Sequence, residues 1–202
     1  MVDEIQNSKL IVMKESVKDI QVSMLNPEFL IETERLIMRN WTLDDAENLY
    51  QLNADPEVVR YTGNDSFRDK EEVIELISTY DQYKKYKMGR WNVELKHNKE
   101  YLGWCGLKFI NDDDIDLGYR FNRHHWGFGY ATESSKVVLQ YGFEELSLKK
   151  IVGRAAKENV RSLHVLMKIG MAYEKDFDSH GYRCEQYFIT PEMWMHSKHI
   201  NG

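Results

Sequence analysis

The stretch Glu100–Ile110, EYLGWCGLKFI, constrains this chain most. It is apolar at both odd and even positions, so a strand made from it is buried on both faces. The segments around it complete a sheet. Residues 32–42, ETERLIMRNWT, read as a strand. RWNVELK alternates, with Trp91, Val93 and Leu95 on one face and Asn92 and Glu94 on the other. DIDLGYRF is a further strand with Ile115, Leu117, Tyr119 and Phe121 aligned, and NDDD before it is a turn. KIVGRAA is a short strand, and MAYEKDF with YRCEQYFIT form a last hairpin.

Helices fill the gaps. Thr42 with Asp44 and Asp45 opens one that runs through Leu52, with its acids where the helix dipole favours them. DKEEVIELISTYDQYKKY carries Val73, Ile74, Ile77 and Tyr80 at helical spacing. A third helix reaches about Leu146, with Ser135, Val138, Gly142 and Leu146 along one stripe. In ENVRSLHVLMKIG, Asn159 is the N-cap, Leu163, Leu166 and Met167 point inward, and Gly170 is the stop. The order predicts a mixed α/β layer fold in one domain over residues 29–196, with an N-terminal extension (1–28) and a short tail (197–202).

A net charge of −6 argues against non-specific nucleic-acid binding. No apolar run approaches the ~20 residues of a membrane span, and the N-terminus lacks the pattern of a secretory signal. Two distant cysteines, Cys105 and Cys184, suit a reduced, cytoplasmic protein.

The chemistry is concentrated in HHWGFGYATES, residues 124–134. A strand that runs through a glycine-rich turn into a helix offers backbone N–H groups at the positive end of a helix dipole, which binds phosphate. The candidate amides are those of Trp126, Gly127, Phe128, Gly129, Tyr130 and Ala131. No lysine follows as in a Walker loop, and the third glycine of a dinucleotide fingerprint is missing. On the residues alone, a plain strand-to-helix turn and a phosphate loop both remain open. The pair His124–His125 has no third ligand at metal-like spacing, and adjacent side chains are expected to diverge, so no metal is expected. Cys105 reads as a buried structural thiol.

Taken in order, ETERLIMRNWTLDDAENLY, WGFGYATE, the N-x-x-S of Asn159 and Ser162, and YFITPEMW resemble the GCN5-related N-acetyltransferase (GNAT) superfamily, nearest its ribosomal-protein-alanine branch. The resemblance runs from Ile31 to about Trp194. It implies a central, mostly antiparallel sheet splayed between the fourth and fifth strands and flanked by helices. The family's phosphate motif, Arg or Gln-x-x-Gly-x-Gly or Ala, falls on Trp126, Gly129 and Ala131, with Trp126 in place of the usual Arg or Gln.

The resemblance further implies acetyl-CoA as cosubstrate, with its pyrophosphate on amides 126–131. The pantetheine arm would pair with the backbone of Tyr119, Arg120 and Phe121 at the splay, with Asn159 near the pantetheine or the acceptor. The acceptor is a primary amine, either a protein N-terminus or a small molecule, and the protein a monomer or homodimer. Transfer to an amine needs a proton acceptor and a donor for the leaving thiolate. Asp116 is the first candidate base and Glu94 the second, followed by Glu133 and Asp178. Many relatives place a donor tyrosine where this chain has Leu166, and the branch offers Ser162 instead. Asn159 and Ser162 could equally serve only to cap their helix. A non-catalytic acetyl-CoA-binding module is the alternative of a different class.

Overall fold

The computed structural model describes residues 10–12, 21–25, 28–63, 66–110 and 114–200. Among these residues, ten strands form a single sheet: β1 (Leu10–Val12), β2 (Gln21–Leu25), β3 (Glu28–Glu32), β4 (Leu36–Arg39), β5 (Arg90–Leu95), β6 (Tyr101–Phe109), β7 (Ile115–Phe121), β8 (Ile151–Ala156), β9 (Ala172–Ser179) and β10 (Tyr182–Ile189). The strands lie in sequence order except that β10 sits between β8 and β9. Every neighbouring pair is antiparallel except β7 with β8. The described residues contain seven α-helices: α1 (Ala46–Ala54), α2 (Pro56–Val59), α3 (Lys70–Thr79), α4 (Gln82–Tyr86), α5 (Tyr130–Glu144), α6 (Val160–Lys168) and α7 (Pro191–Ile200).

The helices divide between the two faces. On one, α5 and α6 pack over Trp91, Val93, Leu107, Leu117 and Phe121 in the larger core. Gly142 permits this contact, because a Cβ there would come within 2.8 Å of the Ile151 side chain. On the other face, α1 and α3 enclose Ala46, Leu49, Leu52, Val73 and Ile77, with Trp41, Tyr101 and Trp104 packed against them. Strand β6 is thus covered on both sides, as its double-sided apolar pattern requires. Gly103 adjusts its faces. The register with β5 shifts beside it, its φ is +149°, and a Cβ there would strike the Arg120 carbonyl at 2.1 Å. A bulge at a glycine reverses the side-chain alternation, which puts Tyr101 and Trp104 on the same side.

The parallel β7–β8 pair is joined through α5, the long crossover that parallel strands need. Their register contains one pairing, Asp116 with Val152. Past that point β7 diverges from β8, at the splay expected between the fourth and fifth strands; they are numbered seventh and eighth here because of added strands upstream.

Several elements differ from the sequence reading. Residues 32–42 are not one strand. A tight turn, in which the Thr33 N–H donates to the Leu36 carbonyl at 2.9 Å, separates β3 from β4. Two strands within residues 1–28, β1 and β2, extend the sheet from β3. Helix α7 continues past residue 196. Met167 is 47% exposed rather than inward, because the buried stripe of α6 runs through Leu163 and Leu166 toward the C-cap Ile169. The NDDD turn lies outside the described residues at 111–113. No described helix is long and apolar enough to cross a membrane.

Candidate active site

The splay opens into a cavity of about 740 Å³ between the end of β7, the loop before α5, the N-terminal turn of α6 and the α2 segment. Every residue expected at the cofactor lines it except Phe128.

The loop is shaped by Gly127 and Gly129, with φ of +87° and +84°, values that L side chains adopt only at a cost. A Cβ at Gly127 would meet nothing within 4 Å, and one at Gly129 would meet only the Arg35 guanidinium at 3.6 Å. The glycines therefore serve backbone conformation and leave open space in front of the amides. Helix α5 starts at Tyr130, and its first return bond is from the Glu133 N–H to the Gly129 carbonyl at 3.0 Å. Among the described residues, the N–H groups from Gly127 to Thr132 donate to no backbone carbonyl. A glycine-framed helix start with unpaired donors is a geometry able to accept a phosphate. The Trp126 N–H does not belong to it, since it donates to the Arg123 carbonyl at 3.1 Å.

The Trp126 side chain has another task. Its indole N–H donates to the Phe121 carbonyl at 2.8 Å, and the Arg161 guanidinium lies 5.0 Å from its ring centre. The ring thus ties the loop to β7 and α6, work that needs no cation at this position. Phe128, between the two positive-φ glycines, turns outward and is 60% exposed. Its ring stacks on Tyr130, and its carbonyl accepts from Arg35 at 3.1 Å.

At the mouth of the splay, the Tyr119 hydroxyl donates to the Ser162 carbonyl at 2.9 Å, bridging β7 to α6. Burial pushes the Tyr119 phenol up, and the Ser162 side chain offsets part of this. Asn159 caps α6 by accepting from the Ser162 N–H at 3.3 Å. Both residues also line the cavity, so capping and an additional role are compatible. Arg120 runs from the cavity wall to the far face of the sheet, where it donates to Asn53 and lies over Trp104. Burial, reinforced by nearby Arg90, lowers its pKa to about 10.

The candidate bases lie elsewhere. Asp116 is not among the cavity residues; it stands at the closed end of the splay, paired to Arg90 at 2.5 Å, with both side chains nearly buried. Gly118 makes room for that guanidinium, since a Cβ there would lie 2.6 Å from it. Glu94 is buried under α1 instead of facing solvent. It binds Arg39, which also holds Asp45 through two bonds of 2.7 and 2.8 Å, while Asn92 donates to Asp45 at 2.6 Å. Hydrogen bonding to Asp45 is the largest influence on the Arg39 guanidinium, whose pKa is raised. Glu133 is held by Arg35 at 2.6 Å and by the Thr33 hydroxyl, and Asp178 pairs with Arg183 on the surface of β9. An alternation pattern cannot distinguish a solvated polar face from a buried ionic layer, and the polar face of β5 belongs to such a layer.

The sequence reading missed two walls. One is α2 and its following turn, with Glu57, Tyr61 and Thr62. Its signal was Asp55 before Pro56, an N-cap followed by a proline at the first helical position. The other is the outer face of α6, where Arg161, His164 and Lys168 recur at helical spacing opposite Leu163 and Leu166. The histidine pair also departs from expectation. The His124 and His125 rings lean together with centres 4.0 Å apart, and Glu100 reaches them from the turn before β6.

A family model for the acetyltransferase (GNAT) domain matches residues 35–172. The chain belongs to the GNAT acetyltransferases. It is 31% identical over 145 residues to an uncharacterized N-acetyltransferase, p20, of Bacillus licheniformis, covering 70% of this chain and 82% of p20. It is 27% identical over 149 residues to the spermidine N(1)-acetyltransferase of Escherichia coli strain K12, covering 73% of this chain and 75% of that enzyme. A GNAT-family acetyltransferase structure from Bacillus anthracis superposes with a TM-score of 0.71 at 27% identity, covering 81% of this chain and 99% of the other. The protein is an N-acetyltransferase, and the cavity at the splay is its candidate active site.

Proposed function

We propose that this acetyltransferase moves the acetyl group of acetyl-CoA directly to a primary amine, with both substrates held in the splay cavity. The observation that carries this reading is the convergence of the unpaired 127–132 amides and the unzipped edge of β7 on one cavity. The amides suit the pyrophosphate, the basic outer face of α6 suits further phosphate charge, and the open strand edge suits the amides of the pantetheine arm.

In the transfer, the amine nitrogen attacks the thioester carbonyl carbon. The C–N bond forms, the C–S bond breaks, the amine gives up a proton and the departing thiolate takes one. Ser162, beside the Tyr119 hydroxyl, is the donor to the thiolate. Asp116 and Glu94 are engaged with arginines outside the cavity, so the amine's proton passes to cavity water, with Glu57 the carboxylate at the α2 wall. A covalent acetyl-enzyme has no support: Cys105 is fully buried, and burial raises its pKa to about 11.

A polyamine is the first acceptor to test. Glu57 and Glu158 both line the cavity, and the relative named spermidine N(1)-acetyltransferase covers most of the chain. Thiol release from acetyl-CoA is measured with spermidine, with spermine and with peptides bearing N-terminal alanine or serine. Amine-dependent release is expected, first with the polyamines. CoA binding without release by any amine would restore the non-catalytic reading, and release by peptides alone would move the acceptor to protein N-termini.

A further inference from the structure

We propose that Glu100, His124 and His125 form a binding site for one divalent transition-metal ion of the zinc type, at the entrance to the phosphate loop. The three side chains come from two separate turns. Glu100 ends the turn between β5 and β6, and the histidines occupy a 3-10 turn between β7 and the loop. One ligand atom from each falls within 4.8 Å of the other two.

Two imidazole nitrogens and a carboxylate oxygen are the donor set that zinc and its neighbours prefer, while magnesium and calcium prefer oxygen alone. The spacing fits. Ligands about 2.1 Å from a tetrahedral zinc lie roughly 3.4 Å from each other, and His125 Nε2 stands 3.3 Å from Glu100 Oε1. A second observation points to an occupant. The His125 side chain is only 10% exposed, and its buried Nε2 makes no hydrogen bond among the described residues, although it faces the Glu100 carboxylate. A buried nitrogen without a hydrogen bond carries a desolvation cost that a coordinated ion would remove.

The other two ligands are exposed, so an ion can enter without opening the core. Three protein ligands leave a fourth position for water or an outside ligand. The ion would clamp the β5–β6 turn to the segment directly ahead of Trp126, and His125 itself lines the cavity. The site would therefore brace the phosphate loop from behind without touching the transferred group.

The test uses the full chain, stripped with chelator and titrated with zinc chloride, with magnesium chloride as the oxygen-preferring control. One zinc per chain is expected at micromolar concentration or below, together with a rise in the thermal midpoint and no comparable response to magnesium. Glu100→Gln and His124→Ala change exposed side chains and should preserve the fold, and each should weaken zinc binding by at least about tenfold. His196→Ala, on α7, should leave zinc binding unchanged. Absence of saturable 1:1 zinc binding would overturn the proposal. Equal zinc binding by wild type, Glu100→Gln and His124→Ala, or magnesium binding as tight as zinc, would overturn it too.

Discussion

Replacing Gly129 by alanine separates the cost of a backbone conformation from the cost of a blocked ligand. Gly129 sits at φ +84°, ψ 3°, and an L residue held in the left-handed region pays about 1–2 kcal/mol. The nearest neighbour of the new methyl would be the Arg35 guanidinium at 3.6 Å, an ordinary contact, so no packing penalty is added. For a chain of this size each kcal/mol lowers the thermal midpoint by about 2–4 °C, so the variant should fold and melt roughly 2–8 °C lower. CoA binding should suffer more, because the methyl occupies the approach to the amides. Losing one or two charge-assisted hydrogen bonds, about 1.5–3 kcal/mol each, weakens binding by about tenfold to about 10⁴-fold. Gly181→Ala is the control: its φ is +79°, a Cβ there meets nothing within 4 Å, and it lies in the β9–β10 turn outside the cavity lining. Calorimetric titration with CoA and a melting scan are run on both variants. Similar melting losses are expected, with CoA affinity lost only in Gly129→Ala. If Gly129→Ala bound CoA as wild type does, or if Gly181→Ala lost as much affinity, the loop would not be the phosphate cradle.

Other expectations follow from the same geometry. Trp126→Phe keeps a ring near Arg161 but loses the bond to the Phe121 carbonyl, so stability should fall by about 1 kcal/mol; a melting scan showing no loss would remove the strut role of the indole. Asp45→Ala empties the centre of the ionic layer under α1 and leaves Arg39 without its bidentate partner, which should cost about 3–5 kcal/mol in a urea titration. Ser162→Ala should reduce kcat by about 10²-fold or more while leaving the acetyl-CoA KM nearly unchanged, whereas Asp116→Asn should leave the pH–rate profile in place; near-normal turnover of the serine variant would reassign the donor. Burial raises the Cys105 pKa to about 11 and also raises that of Cys184. The Cys105 thiolate is then roughly one part in ten thousand at pH 7, so neither thiol should react quickly with a disulfide reagent in the folded protein, and a fast-reacting thiol would contradict the burial.

What the sequence disclosed about this molecule depended on how local each signal was. The double-sided apolar run of β6, the Asn159 cap and the Gly127–Gly129 turn are each written within a few consecutive residues, and all three appear as read. The partnership of Asp116 with Arg90 spans 26 positions, and that of Glu94 with Arg39 spans 55. Nothing in the neighbourhood of either carboxylate reveals that an arginine from another strand will claim it. The same limit applies to the histidines: spacing alone suggested two diverging rings, while the fold brought them together and added Glu100 from an earlier turn of the chain.

The single pairing between β7 and β8 makes the sheet a built-in reporter. In a strand, every second N–H faces each neighbour, so between Leu117 and Phe121 the groups turned toward β6 are bonded while the alternate ones look into an open slot. Hydrogen exchange at those alternate amides should be fast in the free protein and should slow when an amide-bearing ligand fills the slot. The alternating signature would appear on that one short segment, and it would register occupancy of the slot even for a ligand that never turns over.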